Sequence, residues 1–405
     1  MKSIHHHLSK CVTLAFLLRW GSSFSSRPLY ISAPWTCLSS FSYQQPNTAT
    51  TSLLLMSSRN EADSLPSIAI VGSGAVGGYY GARLWETGLY DVKFHMRGDN
   101  FKVSTQNGFN VTSVDGDIFI PAESLQAYET TDEIGPVDWV IVALKSTALD
   151  AIPDLIYPLL KPSTRVLTIM NGLIEDDLIR ALKNRAGEAL DNNENSISIK
   201  CCAALYGGMA LVCCNRIEPG HVDHSYAGLL SGGVGAFCPD RTTNEENELA
   251  FNQLWEATTI DTVYEPSLLR GRWKKNCWNL PFNGISVAMG GITVDKIVTD
   301  PGLRKLAYTV MDETIAAANA DIRKHGFDES YYLGEDEKKQ MMDLSDGMGP
   351  YRTSTMLDLT NRNAMEVQYL FRKPIDRAEK LGVKVPTLST LVAQIEYFQR
   401  FYNLF

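Results

Sequence analysis

The chain has no Cys-x-x-Cys pair, and its eight cysteines follow no spaced framework, which argues against both a structural zinc site and a disulfide scaffold. Cys201-Cys202 and Cys213-Cys214 stand in apolar, strand-like surroundings and read as small buried residues. Long apolar runs are also missing from the body of the chain, where none nears the roughly 20 residues that a membrane helix needs. Positive charge is not in excess. With 37 Lys and Arg against 46 Asp and Glu, the formal net charge is -9, so a nucleic-acid surface is not expected. What remains is an ordinary globular composition, 44% hydrophobic and 20% charged, over 405 residues. That length suits two domains, each with a sizeable core.

One absence is local. The first acidic residue is Glu61, and before it stand Lys2, Lys10, Arg19, Arg27 and Arg59 among many serines and threonines. A basic, hydroxylated, acid-free leader of about this length resembles an organelle transit peptide. The short apolar stretch Cys11–Leu18 adds the look of a signal-peptide core. Residues 1–65 are therefore expected to be a removable presequence or an unstructured leader. The destination would be a plastid or mitochondrion, or the cytoplasm if no presequence is cleaved. His5-His6-His7 fall inside this leader and are not expected to hold a metal.

Regular structure is expected to begin at Ile68-Ala69-Ile70-Val71, a continuous apolar run that suits a buried parallel strand. Gly72-Ser73-Gly74-Ala75-Val76-Gly77 follows at once and opens a helix to about Thr87. This is G-x-G-x-x-G between a strand and a helix, the arrangement that holds a dinucleotide. Gly72 permits the turn, Gly74 leaves room for a pyrophosphate, and Gly77 lets the helix lie close to the strand. The free N–H groups and the positive end of the helix face the phosphates.

The next strand ends in Phe94-His95-Met96-Arg97 where an NAD site would carry an acid for the ribose 2′-hydroxyl. Arg97 instead suits a 2′-phosphate and hence NADP(H), although Asp99 is close by. Two more strands, Val137–Leu144 and Arg165–Met170, end at Lys145 and Asn171. Ligands of open α/β sheets bind beyond such ends, so both residues are candidates for cofactor or substrate contact. His221-x-x-His224 is expected to start a strand, where i and i+3 point to opposite faces, and no metal is expected there.

From about Tyr264 the pattern turns helical, and Leu303–Gly326 and Asn363–Leu381 each carry apolar residues at three- and four-residue intervals that predict a helix. Lys275, Asn279 and Asn283 are spaced i, i+4, i+8, drifting about 80° around a helix that is otherwise rich in Trp, Cys, Leu and Phe. Inward-facing polar groups need partners, and a polar substrate would supply them. A stripe meeting water or another domain is the plainer alternative.

Taken together, these motifs resemble the ketopantoate (2-dehydropantoate) reductases. The N-terminal marks are Gly72–Gly78, Ala143-Leu144-Lys145-Ser146-Thr147 and Met170-Asn171-Gly172. The C-terminal marks are Trp273-x-Lys275-x-x-x-Asn279-x-x-x-Asn283 and Ser354…Asp358…Glu366. They occur in the family's order from about Ser67 onward. The resemblance implies an N-terminal Rossmann-type parallel-sheet domain, residues 66–262, and an all-helical substrate and catalytic domain, 263–405. It implies reduction of a 2-oxo acid, ketopantoate to pantoate, by NADPH. Lys275 would be the general acid and Glu366 its orienting partner, with Asn171, Asn279, Asn283 and Ser354 on the substrate.

The chain departs from the family's pattern in three places. Pro281 lies between the two asparagines and is expected to kink the helix near Cys277. Arg362-Asn363 stands where many relatives have Gly-Arg, and a polar stretch, 184–198, adds length. Two other functions stay open: a related dehydrogenase with a different substrate, and a non-catalytic NADP-binding redox sensor. Oligomeric state is not legible, and a homodimer is carried as an expectation.

Overall fold

A computed structural model describes residues 64–187, 201–234 and 244–404. The leader, most of the polar stretch 184–198 and Cys238 lie outside the described residues. The dinucleotide-type half begins β1 (Ser67–Val71), α1 (Ala75–Glu86), β2 (Asp91–His95), α2 (Gly98–Asn107), β3 (Phe109–Ser113), β4 (Ile118–Ile120) and β5 (Gln126–Tyr128). It continues with β6 (Trp139–Val142), α3 (Ile152–Ile156), β7 (Arg165–Ile169), α4 (Glu175–Ala186), β8 (Ala204–Glu218), β9 (His221–Val234), α5 (Asn244–Trp255) and β10 (Thr262–Tyr264). Helices follow: α6 (Leu268–Ala288), α7 (Val294–Thr299), α8 (Pro301–Lys324), α9 (Glu335–Asp346), α10 (Ser354–Thr360), α11 (Lys373–Lys380) and α12 (Pro386–Phe401).

Among the described residues the sheet runs β4-β3-β9-β8-β7-β6-β1-β2-β5, with β10 on β9. The strands from β5 to β8 pair in parallel. The central strands β1, β6 and β7 are apolar and buried along nearly their whole length, as parallel strands covered on both faces must be. One face packs Ile68, Ile70 and Phe94 against α1, and the other packs Ala69, Val71 and Val140 against α3 and α4. The sheet is thus mixed rather than purely parallel, because β8 and β9 form a long antiparallel pair and β3 pairs antiparallel with β4. Cys213 and Cys214 lie in β8, as their surroundings suggest, but Cys201 and Cys202 precede it in an irregular segment.

The helical half closes around α6, which is buried on nearly every side. Ser267 caps it by accepting from the Arg270 N–H at 3.3 Å. Trp273, Cys277, Leu280 and Phe282 lie in a core shared with α8, α9 and α12. Pro281 stands inside α6, which runs as one helix of 21 residues. Packing on all sides outweighs the single N–H that proline lacks. The helix expected over Asn363–Leu381 is shorter. Asn363–Glu366 is irregular, and a π-type turn, Gln368–Arg372, leads into α11. Glu366 is therefore buried in a connecting segment instead of riding a helix face.

Candidate functional site

The glycine loop has the geometry of a phosphate cradle. Gly72 adopts φ +96°, which an L side chain rarely takes. A Cβ on Gly77 would fall 2.3 Å from the Gly72 carbonyl oxygen, so only glycine lets α1 sit this close to β1. A Cβ on Gly74 would meet nothing within 4 Å, so this face of the loop is open to a ligand. The N–H groups of Ala75 and Val76, at the start of α1, lie beside it without earlier helical carbonyls to bond. Ser73 turns inward, its hydroxyl 3.4 Å from the Ile70 carbonyl, so what it offers a ligand is backbone. Asn100, which the sequence reading did not single out, braces the loop by donating to the Ser73 carbonyl at 3.0 Å and accepting from the Gly220 N–H at 2.9 Å. Nothing local marked it, since most of α2 is polar.

Arg97 lies exposed between β2 and α2. Its positive charge and burial together hold the neighbouring His95 below the usual histidine range, burial being the larger cause. The residues around the loop therefore fit a dinucleotide bearing an extra phosphate.

Across the cleft, the polar stripe on α6 is present. Lys275 is partly buried and donates to the Ala210 carbonyl of β8 at 2.7 Å. Burial and the nearby Arg272 bring its ammonium down to about 7, with the Glu366 carboxylate opposing them. Asn283 donates to Asn279 Oδ1 at 3.3 Å, one turn away, so Pro281 does not separate the two asparagines. The Asn283 side-chain Oδ1 accepts from the Ser354 hydroxyl at 3.4 Å and the Thr355 N–H at 3.2 Å, tying α6 to the start of α10.

Glu366 joins the two halves. Its carboxylate accepts from the Ser146 N–H at 2.8 Å and from Asn171 Nδ2 at 3.2 Å. Lys145 forms an ion pair with Asp358 of α10. Gly172 adopts φ +86°, and a Cβ there would strike the Tyr369 carbonyl at 2.4 Å, so the turn after β7 presses directly on the helical half. Hydrogen bonds thus join Asn171 to Glu366 and Asn279 through Asn283 to Ser354, the Glu366 carboxylate acts on the Lys275 ammonium, and Lys145 pairs with Asp358, with Gly72–Gly77 at the end of β1 beside β6. Arg97 belongs to the next strand end along the sheet, at the end of β2.

Two pairings escaped the sequence reading. Arg272 and Glu175 form an almost fully buried ion pair between α6 and α4, with 3% and 1% side-chain exposure. Arg272 also donates to the Gly208 carbonyl at 3.2 Å. Asp358 had appeared only as part of a motif, without a partner. Nothing local marks either pair, because their members lie 97 and 213 residues apart. His221 and His224 bond the hydroxyls of Thr112 and Ser113 on β3, and no group of three or more metal-ligating side chains occurs among the described residues.

The family model described as ketopantoate reductase PanE/ApbA matches residues 68–235, and its C-terminal counterpart matches 267–399. The chain belongs to the ketopantoate reductase family. It is 30% identical over 330 residues to the 2-dehydropantoate 2-reductase of Nostoc sp., covering 81% of this chain and 94% of that one. The crystal structure of 2-dehydropantoate 2-reductase from Geobacter metallireducens is 34% identical, with a TM-score of 0.69 over 82% of this chain and 99% of that one. A ternary structure of D-mandelate dehydrogenase with NADH and anilino(oxo)acetate shares the fold at a TM-score of 0.67 and 18% identity, covering 84% of this chain and all of that one. As a ketopantoate reductase family member the chain is an oxidoreductase acting on a CH–OH group, in a family whose members bind NADPH.

Proposed function

We propose that the chain reduces ketopantoate to pantoate with NADPH. The observation that carries this reading is Lys275, whose ammonium donates to the Ala210 carbonyl at 2.7 Å and is brought down to about 7 by burial and Arg272 against the pull of the Glu366 carboxylate. A bound NADPH would supply the hydride for the carbonyl carbon of the substrate. Lys275 donates a hydrogen bond to the keto oxygen and then its proton, so that the developing alkoxide leaves as a hydroxyl. Glu366 keeps Lys275 charged and oriented. Asn279, Asn283, Ser354 and Asn171 hold the carboxylate and the hydroxyl of the substrate. On the cofactor side, Gly72–Gly77 cradle the pyrophosphate, Arg97 meets the 2′-phosphate, and Lys145 borders the bound dinucleotide. Burial of the cleft strengthens each of these interactions by excluding water.

The partition follows the same division of labour, with residues 66–262 for the cofactor and 263–405 for the substrate. A cleaved leader and pairing of two chains complete the proposal. Mass spectrometry of the mature N-terminus tests the leader, and sedimentation tests for a doubled mass. The activity is tested by following NADPH oxidation with ketopantoate and a panel of other 2-oxo acids, for the full chain and Lys275→Ala. Rapid turnover of ketopantoate that the variant loses, while it still binds NADPH, is the expected result. Turnover of a different acid in preference would sink the substrate assignment.

A further inference from the structure

Two of the four asparagine amide donors along the cleft are already engaged. Asn283 Nδ2 is held by Asn279 and Asn171 Nδ2 by Glu366. Two are not. Asn276 Nδ2 and Asn279 Nδ2 are both buried without a hydrogen-bond partner, in residues only 2% and 5% exposed. Asn276 took no part in the assignments above. On a helix of 3.6 residues per turn, positions 272, 276, 279 and 283 fall within an arc of about 60°. That arc is the face of α6 that carries Asn279 and Asn283. At one end Arg272 bonds the Gly208 carbonyl, and at the other Asn283 bonds Ser354 and Thr355. Asn276 lies between them, three residues from Asn279, so the two side chains are neighbours on the helix surface.

A buried donor without an acceptor is unfavourable, and two neighbouring ones invite a ligand that accepts both. A carboxylate does so, since its two oxygens accept from separate donors and bear charge that strengthens each bond. We propose that Asn276 and Asn279 form a two-donor clamp for the carboxylate of the 2-oxo acid, and that Asn276 is thereby a specificity-determining residue. This rests on the reduction of a 2-oxo acid proposed above. Lys275, the residue just before Asn276, serves the keto oxygen one bond further along the substrate. A leucine at position 276 would fill the same volume without a donor.

The test uses the full chain with NADPH and compares wild type, Asn276→Leu and Asn276→Ala. Each is assayed on ketopantoate, on other 2-oxo acids and on their neutral methyl esters. The leucine variant is expected to raise KM for the acids by about 10- to 100-fold, as for loss of a hydrogen bond to a charged group. KM for the esters should move by less than about threefold, because their oxygens accept more weakly. NADPH affinity should be unchanged, and the melting temperature of the ligand-free protein unchanged or raised. A purely structural role would lower the melting temperature and move acids and esters together. If the leucine variant fails to fold, the alanine variant is read by the same acid-to-ester ratio. An unchanged ratio in a variant that still reduces ketopantoate overturns the clamp and leaves the proposed activity standing. A wild type that prefers another 2-oxo acid, with the variant selectively impaired on it, overturns the ketopantoate assignment and supports the clamp. A wild type that reduces none of the acids overturns both.

Discussion

Lys275 makes the proposed chemistry dependent on pH in a definite direction. A free lysine titrates at 10.5, whereas burial and Arg272 bring this one to about 7. The ligand-free enzyme therefore carries an ammonium below that value and a neutral amine above it. Reduction needs the ammonium. The protonated fraction falls from about nine-tenths at about pH 6 to about one-tenth at about pH 8, so kcat/KM for reduction should drop roughly tenfold over that interval. Oxidation of pantoate by NADP needs the amine and should rise over the same interval. The bound carboxylate and the phosphates of the cofactor both favour the ammonium, so the break in kcat should lie above the break in kcat/KM. Initial rates of NADPH oxidation across this range, for wild type, Lys275→Arg and Lys275→Met, test the argument. The arginine variant stays charged and should show low activity with no break near neutrality, and the methionine variant should lose about a thousandfold. A flat wild-type profile, or a methionine variant with near-normal turnover, would refute Lys275 as the acid. The same depressed value affects folding. Between about 7 and 10.5 the unfolded chain holds a proton that the folded chain has released, so the contribution of Lys275 makes stability rise with pH there.

The glycine loop separates binding from folding. Gly74→Ala should leave the melting temperature unchanged, since its Cβ meets nothing, yet weaken NADPH binding about tenfold by fluorescence titration. Gly77→Ala forces a Cβ against the Gly72 carbonyl and should destabilise the chain by about 1–3 kcal/mol in urea unfolding. Arg97→Glu should raise KM for NADPH by about 10- to 100-fold while leaving KM for NADH nearly unchanged, and equal effects on both would remove Arg97 from the 2′-phosphate site. Arg272→Met leaves the buried Glu175 carboxylate unpaired and should cost about 3–5 kcal/mol, much of which a second change, Glu175→Met, should restore.

The parts legible in the sequence are those with local causes. The run Ile68–Val71, the glycines that follow it and the helix start at Ala75 lie within one short stretch, where turn sterics and strand pattern operate over a few residues. The stripe of Lys275, Asn279 and Asn283 was visible for the same reason, as it follows from the pitch of one helix. The family resemblance added Ser354 and Glu366, which no spacing would have singled out.

Contacts between distant segments were decided by the tertiary structure. Pro281 lacks one helical N–H, and neighbours on every side of α6 keep the helix in one piece across it. Periodicity extended a helix through Glu366, and the approach of Gly172 to Tyr369 goes with an irregular segment that carries this carboxylate to Ser146 and Asn171. The pairing of Arg272 with Glu175 and of Lys145 with Asp358, and the unmet donors of Asn276 and Asn279, likewise depend on which surfaces the two halves bring together. A sequence sets propensities and periodicities residue by residue, whereas burial and desolvation depend on what packs against each group from elsewhere in the chain. The type of fold and the location of the cofactor loop could therefore be read in advance, and the lowered Lys275 ammonium could not.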